Sequence, residues 1–192
     1  MIYLENSYLI CNFSKNRKGV IDMSYSHKEI PFVYLKVIKA RFEEMKSIAE
    51  KTFEQLNEES LFWKPHDNSN SIAVIMKHMS GHMVSRWTNV LISDGEKPFR
   101  DRDGEFEHSI FTREELYEMW NKGWNVFINE LDSLKEEDLL REIFISNKSL
   151  TVIEAIEKSM YHYSYHIGQI VYIGKQLKSI DWKSLTIPKK IK

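Results

Sequence analysis

The sequence predicts an all-α protein, a four-helix bundle with one long crossover loop. Three observations predict it. Four long segments repeat apolar side chains at intervals of three and four, the period of an amphipathic helix. The 192 residues contain only four prolines and seven glycines, so little interrupts those segments. One connection is much longer than the others, as in bundles whose helices do not simply alternate up and down.

The first helix is predicted from Pro31 to Leu56. Val33, Leu35, Val37, Ile38, Phe42, Met45, Ile48, Ala49 and Phe53 form its apolar stripe, and Pro31 suits a first turn. A linker, Asn57 to Asn70, follows. Ser69-Asn70-Ser71 offers N-caps for a second helix from Ser71 to Ile92, which Asp94-Gly95 stops. The polar stretch Ser93 to Ile110 is the crossover loop. Thr112 and Glu115 then make a capping-box pattern that opens the third helix, with Leu116, Met119, Trp120, Trp124, Phe127, Ile128 and Leu131 as its stripe. Ile143–Ile145 and Leu150–Val152 are predicted to pair as a small hairpin across Ser146 to Ser149. The fourth helix starts near Thr151, with Glu154 in capping-box position, and runs to about Leu177.

The totals bound the function. Hydrophobic residues make up 42% and charged residues 29%, an ordinary globular balance that fits one domain. Twenty-seven basic and 28 acidic residues nearly cancel, which argues against a nucleic-acid or membrane-surface partner. The single cysteine, Cys11, cannot form an intrachain disulfide or a thiolate metal cluster. Leu4 to Phe13 is a poor signal peptide, because Glu5 and Asn6 interrupt it and no basic stretch precedes it. No later run is long enough to span a membrane, so the expected compartment is the cytoplasm. Residues 1–22 are expected to be a poorly ordered extension, and residues 23–192 the domain.

The chemistry concentrates in histidines. His162 and His166 lie one turn apart in the fourth helix, so their imidazoles point the same way, about 40° apart. That is how a helix presents two nitrogen ligands to one ion. His78 and His82 form a second such pair on the second helix. Spacing alone leaves open a site of three histidines with a free position and a closed site of four; the first suits catalysis and the second structure. Tyr161, Tyr163 and Tyr165 surround the fourth-helix pair and point to a packed, partly apolar setting that favours neutral imidazole. Gln169, close beyond His166, is placed to orient a ligand or a water. Arg86 on the second helix is placed to pair with an acid or meet an anion.

Other chemistry finds little support. Tyr163 stands where a zincin would need glutamate, and no phosphate-binding glycine loop or nucleophile elbow occurs. Glu105-x-x-His108 has the spacing of di-iron bundles, but it sits in the loop and has no second copy. Arg100-Asp101-Arg102-Asp103 reads as a solvated charged loop, with gating the metal mouth or binding an anion there as its alternative role. No general base is obvious beyond His82 or Tyr165, and the catalytic residues stay unassigned.

Several blocks together resemble the DinB/YfiT superfamily, in its bacterial branch of uncharacterised single-domain proteins. They are Ser71-Ile72-Ala73-Val74-Ile75-Met76-Lys77-His78, Ser85-Arg86-Trp87, Asp94-Gly95-Glu96-Lys97-Pro98, Tyr161-His162-Tyr163-Ser164-Tyr165-His166-Ile167-Gly168-Gln169 and Asp181-Trp182-Lys183-Ser184-Leu185. The resemblance runs from about Pro31 to Pro188. It implies an up-down-down-up bundle, often a homodimer, with a divalent metal held by His78, His162 and His166. His82 departs from that pattern. Relatives of this kind include transferases and isomerases that use low-molecular-weight thiols such as bacillithiol. The expected function is therefore a metal-dependent hydrolase or thiol transferase acting on a small molecule. Histidine ligation suits zinc or nickel, and also iron or copper. The competing expectation is a non-catalytic dimeric binding protein, stress-related, whose metal site is structural or vestigial.

Overall fold

Thr112 and Thr151 each start a helix by the same device. In the computed structural model, which describes residues 14–15, 21–22, 29–107 and 112–188, the Glu115 amide donates to Thr112 Oγ1 and the Thr112 amide donates to the Glu115 carboxylate. Thr151 and Glu154 repeat the exchange. Each box satisfies two backbone amides that a helix start otherwise leaves bare.

The chain is mostly helical, as expected. Helix α1 spans Ile30–Phe53, α2 Glu58–Phe62, α3 Ile72–Trp87, α4 Arg113–Ser133 and α5 Val152–Lys178. Strands β1 (Ser14–Lys15) and β2 (Ile21–Asp22) pair antiparallel, as do β3 (Glu142–Ile145) and β4 (Lys148–Thr151). Apart from β1 and β2, the segment expected to be an N-terminal extension lies outside the described residues, as do His27 and His108. None of the described helices is long and apolar enough to cross a membrane.

Three expectations need correction. The second predicted helix ends at Trp87, five residues before Ile92. Asn89 takes a left-handed φ of 54°, and the Val90 amide donates to the Glu130 carboxylate at 2.8 Å instead of to its own helix. The predicted linker holds a short helix, α2, whose start is capped by Asn57 accepting the Ser60 amide. The hairpin exists, but Ile143 pairs with Leu150 and Ile145 with Lys148, a register two residues from the expected one. Its turn is only Ser146-Asn147, both with positive φ. Asp94 holds this turn by accepting both amides at 2.8 Å.

The directions of the long helices follow from their contacts. Along α1 and α5, Tyr34 donates to Glu157, and Gln55 accepts from Lys183 beyond the end of α5, so these helices run parallel. Ser80 donates to the Met119 carbonyl and Val90 to Glu130, so α3 and α4 are parallel. Lys39 pairs with Asp132, while Arg113 donates to the Phe53 carbonyl, so α1 and α4 are antiparallel. The order His78–His166, His82–His162, Trp87–Ser159 makes α3 and α5 antiparallel.

Each long helix sends an aromatic side chain to the centre. Phe42, Trp87, Trp124, Phe127 and Tyr163 are all buried. Phe127 meets Phe42, Trp87 and Tyr163 edge-on, with centroids 4.5, 4.9 and 5.3 Å apart. Such edge-to-face pairs add to the stabilisation from apolar burial. Val37, expected in the α1 stripe, is instead half exposed.

Helices α3 and α4 approach closely at Gly123. A Cβ there would lie 2.7 Å from Ser80 Cα and 2.9 Å from Ser80 Oγ. Backbone cannot yield as a flexible side chain can. Gly123→Ala is therefore expected to destabilise by about 1–3 kcal/mol despite alanine's better helix propensity. A thermal melt checks this; an unchanged midpoint would mean that the helices do not touch there.

Candidate metal centre

The two i, i+4 stripes meet because α3 and α5 run antiparallel. His78 Nε2 lies 3.0 Å from His162 Nε2, and His162 Nε2 lies 3.0 Å from His166 Nε2. Ligand atoms of all three fall within 4.8 Å of one another, close enough to hold a metal ion. Nitrogens about 2.0–2.1 Å from one tetrahedral zinc are themselves roughly 3.3 Å apart, so the observed spacing suits a shared ion. His78 and His166 are buried and His162 is partly so.

The outer nitrogens are spoken for. His78 Nδ1 lies 2.9 Å from Glu105 Oε2, and a carboxylate can only accept. His166 Nδ1 lies 2.8 Å from Gln169 Oε1. Each ring thus donates from Nδ1 and, when neutral, turns a bare Nε2 lone pair to the centre. His162 can bring at most one proton to two waiting lone pairs. Its own Nδ1 is buried without a hydrogen-bond partner. A cation among the three nitrogens would satisfy every lone pair at once.

Glu105 is itself fixed. Arg100 Nε and Nη2 grip its two oxygens at 2.8 and 2.9 Å, and both side chains are almost fully buried. Burial alone would raise the Glu105 pKa. The bonds from His78 and Arg100, with the guanidinium charge, outweigh it and hold the carboxyl below its ordinary range.

A family model described as a protein of unknown function, DUF1572, matches residues 29–191. The chain belongs to the DUF1572 family. No match to a curated protein was found. The matched span includes the three histidines, Glu105, Arg100 and Gln169.

Electrostatics in this DUF1572 chain favour the uncharged ligand form. Burial, then the neighbouring His166 and His78, push His162 down to about 3. Burial also lowers His166, against an opposing effect of its bond to Gln169. His82 falls well below its usual value through burial and the nearby His162, Arg100, Arg86 and His78.

His82 stands outside the triangle of nitrogens. Its Nδ1 meets the Tyr163 hydroxyl at 3.1 Å, though its ring packs 4.3 Å from that of His162. Of the three tyrosines expected to pack around the site, only Tyr163 is buried; Tyr161 and Tyr165 are 76% and 58% exposed. Gln169, expected to orient a ligand or a water, meets the ring of His166. Arg86 pairs with Glu96 at 3.0 Å.

The reading of Arg100 to Asp103 as a solvated loop holds for Asp101, Arg102 and Asp103 and fails for Arg100. In the sequence Glu105 stands out only by its E-x-x-H spacing to His108, which does not signal its place beside His78. What uses its carboxylate is His78, 27 residues away on α3. No local spacing signals that pairing.

Proposed function

We propose that this chain is a divalent-metal-dependent enzyme of the DinB/YfiT kind. In this reading the long helices form an up-down-down-up bundle, and His78, His162 and His166 hold the metal. The helix directions described above support the bundle. The observation that carries the site is the inward convergence of three Nε2 atoms, two of them with Nδ1 already engaged. Such an arrangement is poorly satisfied by hydrogen bonding alone, and it suits a cation with room for a further ligand.

A divalent ion held only by neutral imidazoles keeps its full charge and lowers the pKa of a thiol or water that joins it. The chain's own residues do the positioning. Glu105 and Gln169 fix the rings of His78 and His166, and Arg100 fixes Glu105. His82 and His162 open onto a cavity of about 330 Å³, the small end of the range for small-molecule sites. A small electrophile attacked by a low-molecular-weight thiol, or hydrolysed by water, is the substrate class that fits. Zinc or nickel suits the ligands best, with iron or copper also compatible. The protein would act in the cytoplasm, as a homodimer.

Metal analysis of protein purified without chelator tests this reading. The native chain is expected to retain stoichiometric divalent metal, and the His162→Ala, His166→Ala double variant to lose it. Stoichiometric metal in the double variant would overturn the assignment.

A further inference from the structure

Helix α5 turns a second stripe away from the bundle. Tyr161, Tyr165, Gly168 and Tyr172 follow one another at intervals of four, three and four, the seam spacing of paired helices. All four are exposed, and the three tyrosines keep 76, 58 and 65% of their surface in solvent. Tyrosine is a residue of interfaces, with a large apolar face and few rotamers to lose. Gly168 is the odd member. A glycine inside a helix costs about 1 kcal/mol relative to alanine. The other described glycines each have a neighbour that a Cβ would strike at 3.0 Å or less, but at Gly168 a Cβ would meet nothing within 4 Å. No described residue of its own chain requires that glycine.

We propose that this stripe is the contact between two copies of the chain, their α5 helices antiparallel about a two-fold axis. The face deepens the homodimer of the proposed function and rests on that part of it alone, not on the metal. A two-fold interface must match itself, residue i meeting j wherever j meets i. In an antiparallel pair the two members lie equally far either side of one centre. Three pairs on α5 share a centre, at His166 or the peptide bond after it. Tyr165 falls over the partner's Gly168, where the missing side chain leaves room for the ring. Tyr161 falls beside the partner's Tyr172. Glu157 and Lys175 stand 18 residues apart, about five full turns, so they point the same way from opposite ends. Each Glu157 then meets the partner's Lys175, giving two ion pairs. Both side chains are exposed, and Tyr34 donates to one oxygen of Glu157, leaving the other to accept. A parallel pair would set like charges together at both places. The pairing also joins cavities. Tyr161 lines the cavity of about 330 Å³ beside His162, and Tyr172 lines one of about 650 Å³ beside Gln169. Tyr161 against the partner's Tyr172 sets the first cavity of each protomer next to the second cavity of the other.

Sedimentation of the full-length chain over a concentration series tests the face. The native chain is expected to be a dimer. Tyr165→Glu should make it monomeric with its helical signal kept, because that ring is exposed in the protomer. Gly168→Ala separates protomer from dimer. Its better helix propensity should hold or raise the stability of the protomer, while the added methyl under the partner's Tyr165 weakens the dimer by about tenfold or more. Glu157→Lys should weaken the dimer by roughly tenfold, since it turns two ion pairs into two repulsions. Adding Lys175→Glu should restore it. A native chain that stays monomeric overturns the face and the homodimer with it. A dimer that Tyr165→Glu or Gly168→Ala leaves as tight as the native one overturns the face alone, and the homodimer then stands on another surface. A dimer indifferent to Glu157→Lys, or not restored by the reversed pair, overturns the antiparallel register.

Discussion

Replacing Glu105 by alanine is expected to destabilise the fold by about 3–5 kcal/mol, because it strands a buried guanidinium. Arg100 is 3% exposed at its side chain, and Glu105 receives two of its nitrogens. At this chain length that loss corresponds to a fall of roughly 6–20 °C in the melting midpoint. The same change frees the His78 ring. Without an acceptor at Nδ1, the ring loses both its tautomer bias and its orientation. Metal affinity should drop by roughly 10–100-fold, measured well below the melting midpoint. Glu105→Gln keeps one acceptor oxygen and should fall between the two on both measures. Gly81→Ala offers a route that removes no charge, since a Cβ at Gly81 would occupy the place of the Glu105 carboxylate. If Glu105→Ala melts and binds metal like the native chain, the carboxylate does not position His78.

The parts of this molecule that were legible in its sequence are those set by local chemistry. The capping boxes at Thr112 and Thr151 appeared where threonine and glutamate stand three apart. The apolar stripes found the buried Phe42, Trp87, Trp124 and Phe127. The pair His162 and His166 follows from the helical period alone. So does the proximity of Gln169 to His166, three residues on along the same helix.

What escaped was set by contacts far apart in the chain. Helix α3 stops at Trp87 because Glu130, on another helix, claims the Val90 amide. The Ser146-Asn147 turn has no glycine to announce its positive φ values; Asp94, more than 50 residues earlier, supplies the acceptors that hold it. Glu105 sits in a charged loop whose neighbours Asp101 to Asp103 are solvated as their composition predicts. Only the fold, by laying that loop over α3, separates Glu105 and Arg100 from them.

Chelation of the metal-loaded protein is expected to leave its helical content intact while lowering its melting midpoint by about 8–16 °C. A ligand present at a thousandfold over its dissociation constant stabilises by about 4 kcal/mol, and a chain of this size shifts by roughly 2–4 °C per kcal/mol. The helices should survive because the aromatic centre does not depend on the ion. Phe42, Trp87, Trp124 and Phe127 pack on one another, and Tyr163 alone of the five joins them to the site, through its hydroxyl on His82 and its ring against those of His82 and His162. The effect of removal should therefore stay local, at three imidazoles with too few protons among them. Circular dichroism at room temperature, before and after chelator, reads the first half, and a melt reads the second. Loss of the helical signal on chelation would instead mark a structural metal whose binding energy is folding energy, as in small zinc domains. That outcome would favour the non-catalytic dimeric binding protein, since an ion that must stay for the helices to form is poorly placed to exchange ligands in a reaction.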